Sequence, residues 1–149
     1  MLSRLARWLR AAGYDTREAA ADEADRDILA RAVAEGRILL TRDRGLLEHR
    51  DAPGTVRLLE SADLDGQARE LADRHGLDWL HQPFSRCLVC NTPLTAAPGG
   101  ARQAVPPRAR AVAEALWQCP GCGRVYWEGS HVRRMRQRLR AWAGHPAMQ

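Results

Sequence analysis

The chain has 149 residues, 45% of them hydrophobic, enough for one domain of ordinary size or two small ones with a buried core. Its net charge is +5 and every basic side chain is an arginine, while no apolar run approaches the ~18–20 residues needed to span a membrane. Arginines interleaved with leucines at the start, Met1-Leu2-Ser3-Arg4-Leu5-Ala6-Arg7, do not read as a secretory signal, so a soluble, cytoplasmic protein is expected.

In chain order, Leu2, Leu5, Ala6 and Leu9 fall at helical spacing, and Gly13 reads as a helix stop. Trp8 is expected to pack. Asp22, Glu23, Asp25 and Asp27 precede Ile28, Leu29, Ala32 and Val33, so carboxylates open a second helix, where they suit the macrodipole. Gly36 closes it. Arg37–Thr41 then reads as a short buried strand running into Arg42 and Asp43, and Asp43–Glu48 as the start of another helical turn. Thr55–Glu60 (TVRLLE) reads as a second strand after Pro53-Gly54. Ala62–His75 is expected to be helical, with Leu64, Ala68, Leu71 and Ala72 on one face. Helices alternating with short strands imply a mainly parallel sheet, whose carboxyl edge is where sites usually form.

Near residue 83 the character changes. Residues 1–82 hold 13 arginines against 16 carboxylates; residues 83–149 hold 10 against 2. An acidic first half joined to a basic second half suggests carboxylate chemistry in one and an anionic partner for the other. Two Cys-x-x-Cys knuckles, Cys87/Cys90 and Cys119/Cys122, are the sharpest local signal. Both thiolates of one knuckle reach a single ion, and two knuckles complete the tetrahedron of structural Zn²⁺. Gly121 and Gly123 suit a turn that aims backbone N–H groups at sulfur. A redox pair would need one knuckle only, and an iron–sulfur cluster is the other four-thiolate reading; structural zinc ranks first. Four cysteines leave no open position, so this zinc is not expected to be catalytic.

Thr95–Pro107, rich in Ala, Pro and Gly, reads as a loop. Val125-Tyr126-Trp127 reads as a ribbon strand, whose Tyr126 and Trp127 either stack on bases or pack the ribbon core. Arg133–Trp142 (RRMRQRLRAW) is expected to be a basic helix. Its Arg133, Arg134, Arg136, Arg138 and Arg140 form either a solvated face or a phosphate-binding one.

Five segments together, LSRLARWLRAAGYDT (2–16), GRILLTRDRGLL (36–47), PFSRCLVCN (83–91), VPPR (105–108) and CPGCGRVYWEGSHVRRM (119–135), resemble the Mut7-C ribonuclease domain family in the same order. The resemblance covers nearly the whole chain. It implies an α/β fold: a PIN-like parallel sheet with flanking helices over residues 1–82, then a four-Cys zinc ribbon with a basic C-terminal helix over 83–149. It further implies a ribonuclease whose carboxylates hold Mg²⁺ or Mn²⁺ at one end of the sheet, ions that carboxylates suit. Asp43 matches one acidic position, with Thr41 orienting it. Asp25 or its neighbour Asp27 matches another, and Asp22 is a weaker candidate. Arg42 and Arg44 are placed to approach substrate phosphate. Relatives carry a strand and an Asp just before the segment equivalent to Met1-Leu2. That strand is expected either upstream of this start or absent here, and its loss would remove a metal ligand. Asp43 can equally cap the helical turn that follows it.

Three functional readings follow. The first is a metal-dependent ribonuclease with a zinc ribbon that aids RNA binding. The second is a catalytically impaired module binding structured RNA or the ribosome. The third, from the PIN analogy alone, is a toxin-like nuclease with an antitoxin partner. His131 is expected to hydrogen-bond locally or touch RNA rather than bind metal.

Overall fold

The structure is a computed structural model that describes residues 2–111, 113 and 115–144. Helix α1, Ser3–Ala11, buries Leu5, Ala6 and Leu9. The chain turns sharply after it: Gly13 has φ +99°, and a Cβ there would run into Gln82. The backbone N–H of Gln82 donates to Ala12 O at 2.9 Å, so the chain passes directly over this turn. Helix α2, Asp25–Glu35, opens with Asp25 and Asp27 in its first turn and closes on the left-handed Gly36, as the macrodipole and glycine rules require.

Strand β1, Leu39–Thr41, pairs in parallel with β2, Val56–Leu58, in the register Leu39↔Val56 and Thr41↔Leu58. The strands are shorter than their apolar runs. Arg37 N bonds back to Ala32 O at 2.8 Å and is still part of the helix end. Between the strands lies a single 3-10 turn, Arg44–Glu48. Leu29 of α2, Leu46 of that turn, Ala52 and Val56 form a small apolar cluster with Leu39.

Helix α3, Leu64–His75, is capped by Asp63, whose side chain accepts from Gly66 N at 2.9 Å. After it, Trp79 is fully buried and donates its Nε1–H to Ala68 O at 2.9 Å, so its one polar atom is met. The second half contains β3 (Thr95–Ala96), β4 (Leu116–Gln118) and β5 (Val125–Trp127), an antiparallel sheet of order β3-β4-β5. Residues 95–107, expected as loop, hold β3, a 3-10 turn over Gly99–Ala104 and the start of a short helix α4, Pro107–Arg110. Arg102 fixes this stretch by donating to Arg110 O and Ala113 O, both at 3.0 Å. The last described helix, α5, Ser130–Ala143, begins three residues before its basic run.

One apolar cluster joins both halves: Leu5 and Leu9 of α1, Leu59, Ala68 and Leu71, Trp79, then Leu88, Met135, Leu139 and Trp142. Trp142 packs on Trp8 and Trp79 at 4.9 and 4.8 Å between ring centroids. This cluster draws on residues from both sides of position 82/83. Among the described residues no helix is long and apolar enough to cross a membrane.

Candidate functional site

The four cysteine sulfurs of Cys87, Cys90, Cys119 and Cys122 all lie within 4.8 Å of one another. Cys87 and Cys122 are 3.7 Å apart, Cys90 and Cys119 3.2 Å. A zinc ion with Zn–S bonds of about 2.3 Å sets the edges of its tetrahedron near 3.8 Å, so the cluster fits a four-thiolate ion. Among the described residues it is the only group of three or more His, Cys, Asp or Glu side chains close enough to share one.

Backbone turns build the cradle. Asn91 N donates to Cys87 O at 3.0 Å and Gly123 N to Cys119 O at 2.8 Å, closing each knuckle. Cys122 N donates to the Cys119 sulfur at 3.4 Å. A Cβ on Gly121 would press on the Thr92 hydroxyl, so glycine lets the second knuckle approach the first without displacing that side chain. The thiols are already polarised. The Thr92 side chain and backbone, with Cys119, pull Cys90 down to about 6. Cys122 is pushed up to about 11: a backbone bond from Arg124 lowers it, but desolvation and the neighbouring sulfurs prevail. Burial raises Cys87, yet hydrogen bonds from Tyr126 and from the Cys90 and Val89 backbone bring it below its ordinary value.

Tyr126 lies against this cluster. Its hydroxyl is 3.0 Å from the Cys87 sulfur and accepts from Leu88 N at 3.2 Å. Burial and the Cys87 sulfur raise its pKa well above the ordinary 10. Trp127, its neighbour on β5, is half-buried, whereas Trp117, opposite Tyr126 on β4, is the exposed aromatic of the ribbon.

The first knuckle is also gripped from α1. Arg10 is only 7% exposed, and its guanidinium donates to Leu88 O at 3.2 Å, Val89 O at 3.0 Å and Thr16 O at 3.0 Å. Asn91 accepts from Thr16 N at 2.9 Å and donates to Asp15 at 2.7 Å. Asp15 in turn holds Arg37, and the Arg37 and Asn91 bonds keep its carboxyl below the usual range. Arg10, Asp15 and Asn91 escaped the sequence reading because most of their partners lie far along the chain, Leu88 and Val89 for Arg10 and Thr16 and Asp15 for Asn91. The one local hint is Asn91 itself, which follows the knuckle with φ +71°, a conformation Asn tolerates.

At the sheet, Asp43 follows β1 and Glu60 follows β2. The register pairs Thr41 with Leu58, so Asp43 and Glu60 each come two residues past the paired ends of their strands. Asp43 accepts from Gly45 N at 2.8 Å and so caps the 3-10 turn. The Thr41 hydroxyl accepts from Asp43 N at 3.0 Å, fixing the Asp43 backbone. Asp25 starts α2, one turn before Leu29, which packs on Leu46 of that same turn. Helix α2, which Asp25 begins, and the 3-10 turn that Asp43 caps thus share one small apolar cluster. Asp27 is exposed and lies 3.5 Å from Arg26; Asp22 is exposed. Glu60 meets Arg74 at 3.1 Å and Arg44 at 3.9 Å. Behind them Glu70, 7% exposed, accepts from Glu60 N at 3.0 Å and Ser61 N at 3.1 Å. Burial works against its charge, but those backbone donors hold its carboxyl below the ordinary 4.5. Neither Glu60 nor Glu70 is distinguishable in sequence from a solvated glutamate.

Of the arginines, Arg42, Arg133 and Arg134 are exposed, as is Arg44. Arg136 makes a two-pronged pair with Glu128 at 3.1 and 3.0 Å and lies 4.9 Å over the Phe84 ring. Arg138 bonds Asp65 at 2.9 Å and lies over Trp8 and Trp142 at 5.5 and 5.2 Å.

A small parallel sheet flanked by helices, joined to a ribbon with four clustered cysteines, defines a mixed α/β protein able to hold a metal ion. The chain belongs to the Mut7-C RNAse domain family, whose model matches residues 1–139. No curated protein and no solved structure matches it.

Proposed function

We propose that this chain is a cytoplasmic, metal-dependent ribonuclease with a PIN-like catalytic half, hydrolysing RNA phosphodiester bonds. Membership of the Mut7-C RNAse domain family over residues 1–139 is the observation that carries the reading. Asp43 and Asp25 are its proposed ligands for Mg²⁺ or Mn²⁺, with Glu60, two residues past the neighbouring strand, and Asp27 as further donors. Such ions bind through one or two carboxylates plus substrate phosphates, so the site needs no preformed trio of acids. When bound, the ion supplies an activated water and neutralises charge building on the phosphate. Thr41 fixes the backbone that presents Asp43. Arg42 and Arg44 face the phosphate charge, with Arg133 and Arg134 holding RNA farther away. The four cysteines hold a structural zinc that orders the ribbon; Trp127 and the ribbon surface lie beside the RNA path.

The test compares cleavage of a mixed RNA pool by the wild type, Asp43→Asn and Asp43→Ala in Mg²⁺ or Mn²⁺. Asn keeps an oxygen that can cap the 3-10 turn but loses the charge that holds a cation. Cleavage by Asp43→Asn is expected to fall about 100-fold or more with little change in stability. Undiminished cleavage by Asp43→Asn refutes the metal-ligand role. RNA binding without cleavage by the wild type replaces the nuclease reading with that of a binding module.

A further inference from the structure

We infer that the seam where α1 lies beside α5 is a phosphate-binding surface for an RNA strand, built by Arg4 and Arg7 together with His131 and Arg134. The inference rests on the RNA reading above and adds α1 to it.

Neither helix contains a carboxylate: α1 reads SRLARWLRA and α5 SHVRRMRQRLRAWA. On α5, His131, Arg134 and Arg138 recur at i, i+3 and i+7, which places them on one flank. That flank meets α1. The Arg7 guanidinium lies 3.3 Å from His131 Nε2, and Arg138 stacks over Trp8. On α1, Arg4 and Arg7 are one turn apart, on the flank beside Trp8. Arg4, Arg7, His131 and Arg134 are all exposed. Arg4 and Arg138 line the same cavity, of about 250 Å³, against the start of α3.

Arginines outnumber carboxylates at this seam: Asp63 and Asp65 line the cavity beside Arg4 and Arg138, and neither helix adds an acid of its own. Arg17, Arg31 and Arg74, by contrast, are each met by a glutamate. Here Asp65 answers Arg138 alone. Among the described residues Arg4 and Arg134 have no hydrogen-bond or ion-pair partner, and Arg7 has only a histidine. Arg138, braced by Asp65, Trp8 and Trp142, acts as the rigid spine between the two helices and is not free for a ligand. The surface therefore gathers three open guanidinium groups and one imidazole around a fixed core. An anion with regularly spaced charge suits it. The open groups on each helix, Arg4 and Arg7 on α1 and His131 and Arg134 on α5, are separated by about 4.5 Å along the axis. The guanidinium fork is the group that matches phosphate oxygens best.

The experiment measures binding of a fluorescent single-stranded RNA to the zinc-loaded full chain between 50 and 200 mM salt. Mg²⁺ and Mn²⁺ are withheld so that cleavage does not intervene. The variant is Arg4→Gln/Arg7→Gln/Arg134→Gln. The charge-matched control is Arg17→Gln/Arg26→Gln/Arg50→Gln, exposed arginines that lie outside α1, α3, α5 and the ribbon. Each lost phosphate contact lowers the log–log salt slope by about 0.7 on single strands. The seam variant should flatten it by about 2, so the same salt rise weakens wild-type binding ~18-fold more than variant binding. The control should keep the wild-type slope, and all three proteins should unfold at similar temperatures. Equal flattening in variant and control, or an unchanged slope in the variant, overturns the seam while leaving RNA binding intact. Salt-insensitive or absent binding by the wild type overturns the RNA reading itself and the seam with it.

Discussion

Replacing Arg10 by Met tests whether the metal knuckle is fastened to α1. The substitution keeps an unbranched apolar stem and removes only the guanidinium. Three carbonyls lose their donor: Leu88 O, in a buried contact, and Val89 O and Thr16 O, which are partly open. A hydrogen bond from a charged donor contributes about 1.5–3 kcal/mol, less where water replaces it. Taking about 2 kcal/mol for Leu88 and about 1 for each of the others gives a loss of about 3–4 kcal/mol. At roughly 2–4 °C per kcal/mol for a chain of this size, the zinc-loaded protein should unfold ~10 °C lower. Two of the three carbonyls lie inside the Cys87–Cys90 loop, so transfer of zinc to a chromogenic chelator should also quicken. Arg69→Met, on the exposed face of α3, should shift unfolding by no more than about 0.5 kcal/mol. If Arg10→Met behaves like Arg69→Met in both assays, the proposed fastening is wrong.

Tyr126→Phe removes the hydroxyl shared by Cys87 and Leu88 N; zinc affinity, followed by chelator competition, should fall about 10-fold, and an unchanged affinity would return Tyr126 to a packing role. Stripping zinc with a strong chelator should lower the unfolding temperature by more than about 10 °C, because the metal supplies folding free energy; an unshifted transition would mean that the thiols are held without it. Glu70, depressed below 4.5, stabilises the fold above that pH and loses its contribution as pH falls through its lower folded value. Melting curves from pH 6 down to pH 3 should therefore decline less steeply for Glu70→Gln than for the wild type, and parallel curves would count against the carboxylate's role. Gly121→Ala should weaken zinc binding, since the added methyl meets the Thr92 hydroxyl; wild-type affinity would show that the knuckles can part without loss.

The elements most legible in sequence were those with a long apolar period. Leu5 and Leu9, Leu64 and Leu71, and Met135 and Leu139 announce α1, α3 and α5 because one helical face is buried. The four-cysteine cluster was legible because two-residue spacing is itself a geometric constraint, and all four sulfurs converge. Strand ends were less so: Arg37 and Ile38 look like strand, yet backbone bonding to Ala32 draws Arg37 into the helix end. The Ala-Gly-Pro stretch at 95–107 has no apolar period, and its order comes from Arg102 reaching Ala113. Asp43 shows the limit most plainly. Its place after β1 and its capping of the next turn were both readable, but which residues of β2 pair with β1 depends on strand register, which no local pattern encodes. Tyr126, read as a base-stacking or packing residue, has its hydroxyl beside a sulfur 39 residues away.

The shared core also constrains how the chain is made. Leu5 and Leu9 at one end bury themselves against Leu139 and Trp142 near the other. During synthesis at about 5–20 residues per second, the apolar face of α1 waits ~6–26 s before its partner helix exists. Until then α1 can pack only on α3 and Trp79, and the part of Leu5, Leu9 and Trp8 that α5 covers stays open to water and to other nascent chains. The arginines threaded through α1 flank those residues with charge during that interval, a known brake on aggregation of exposed apolar segments.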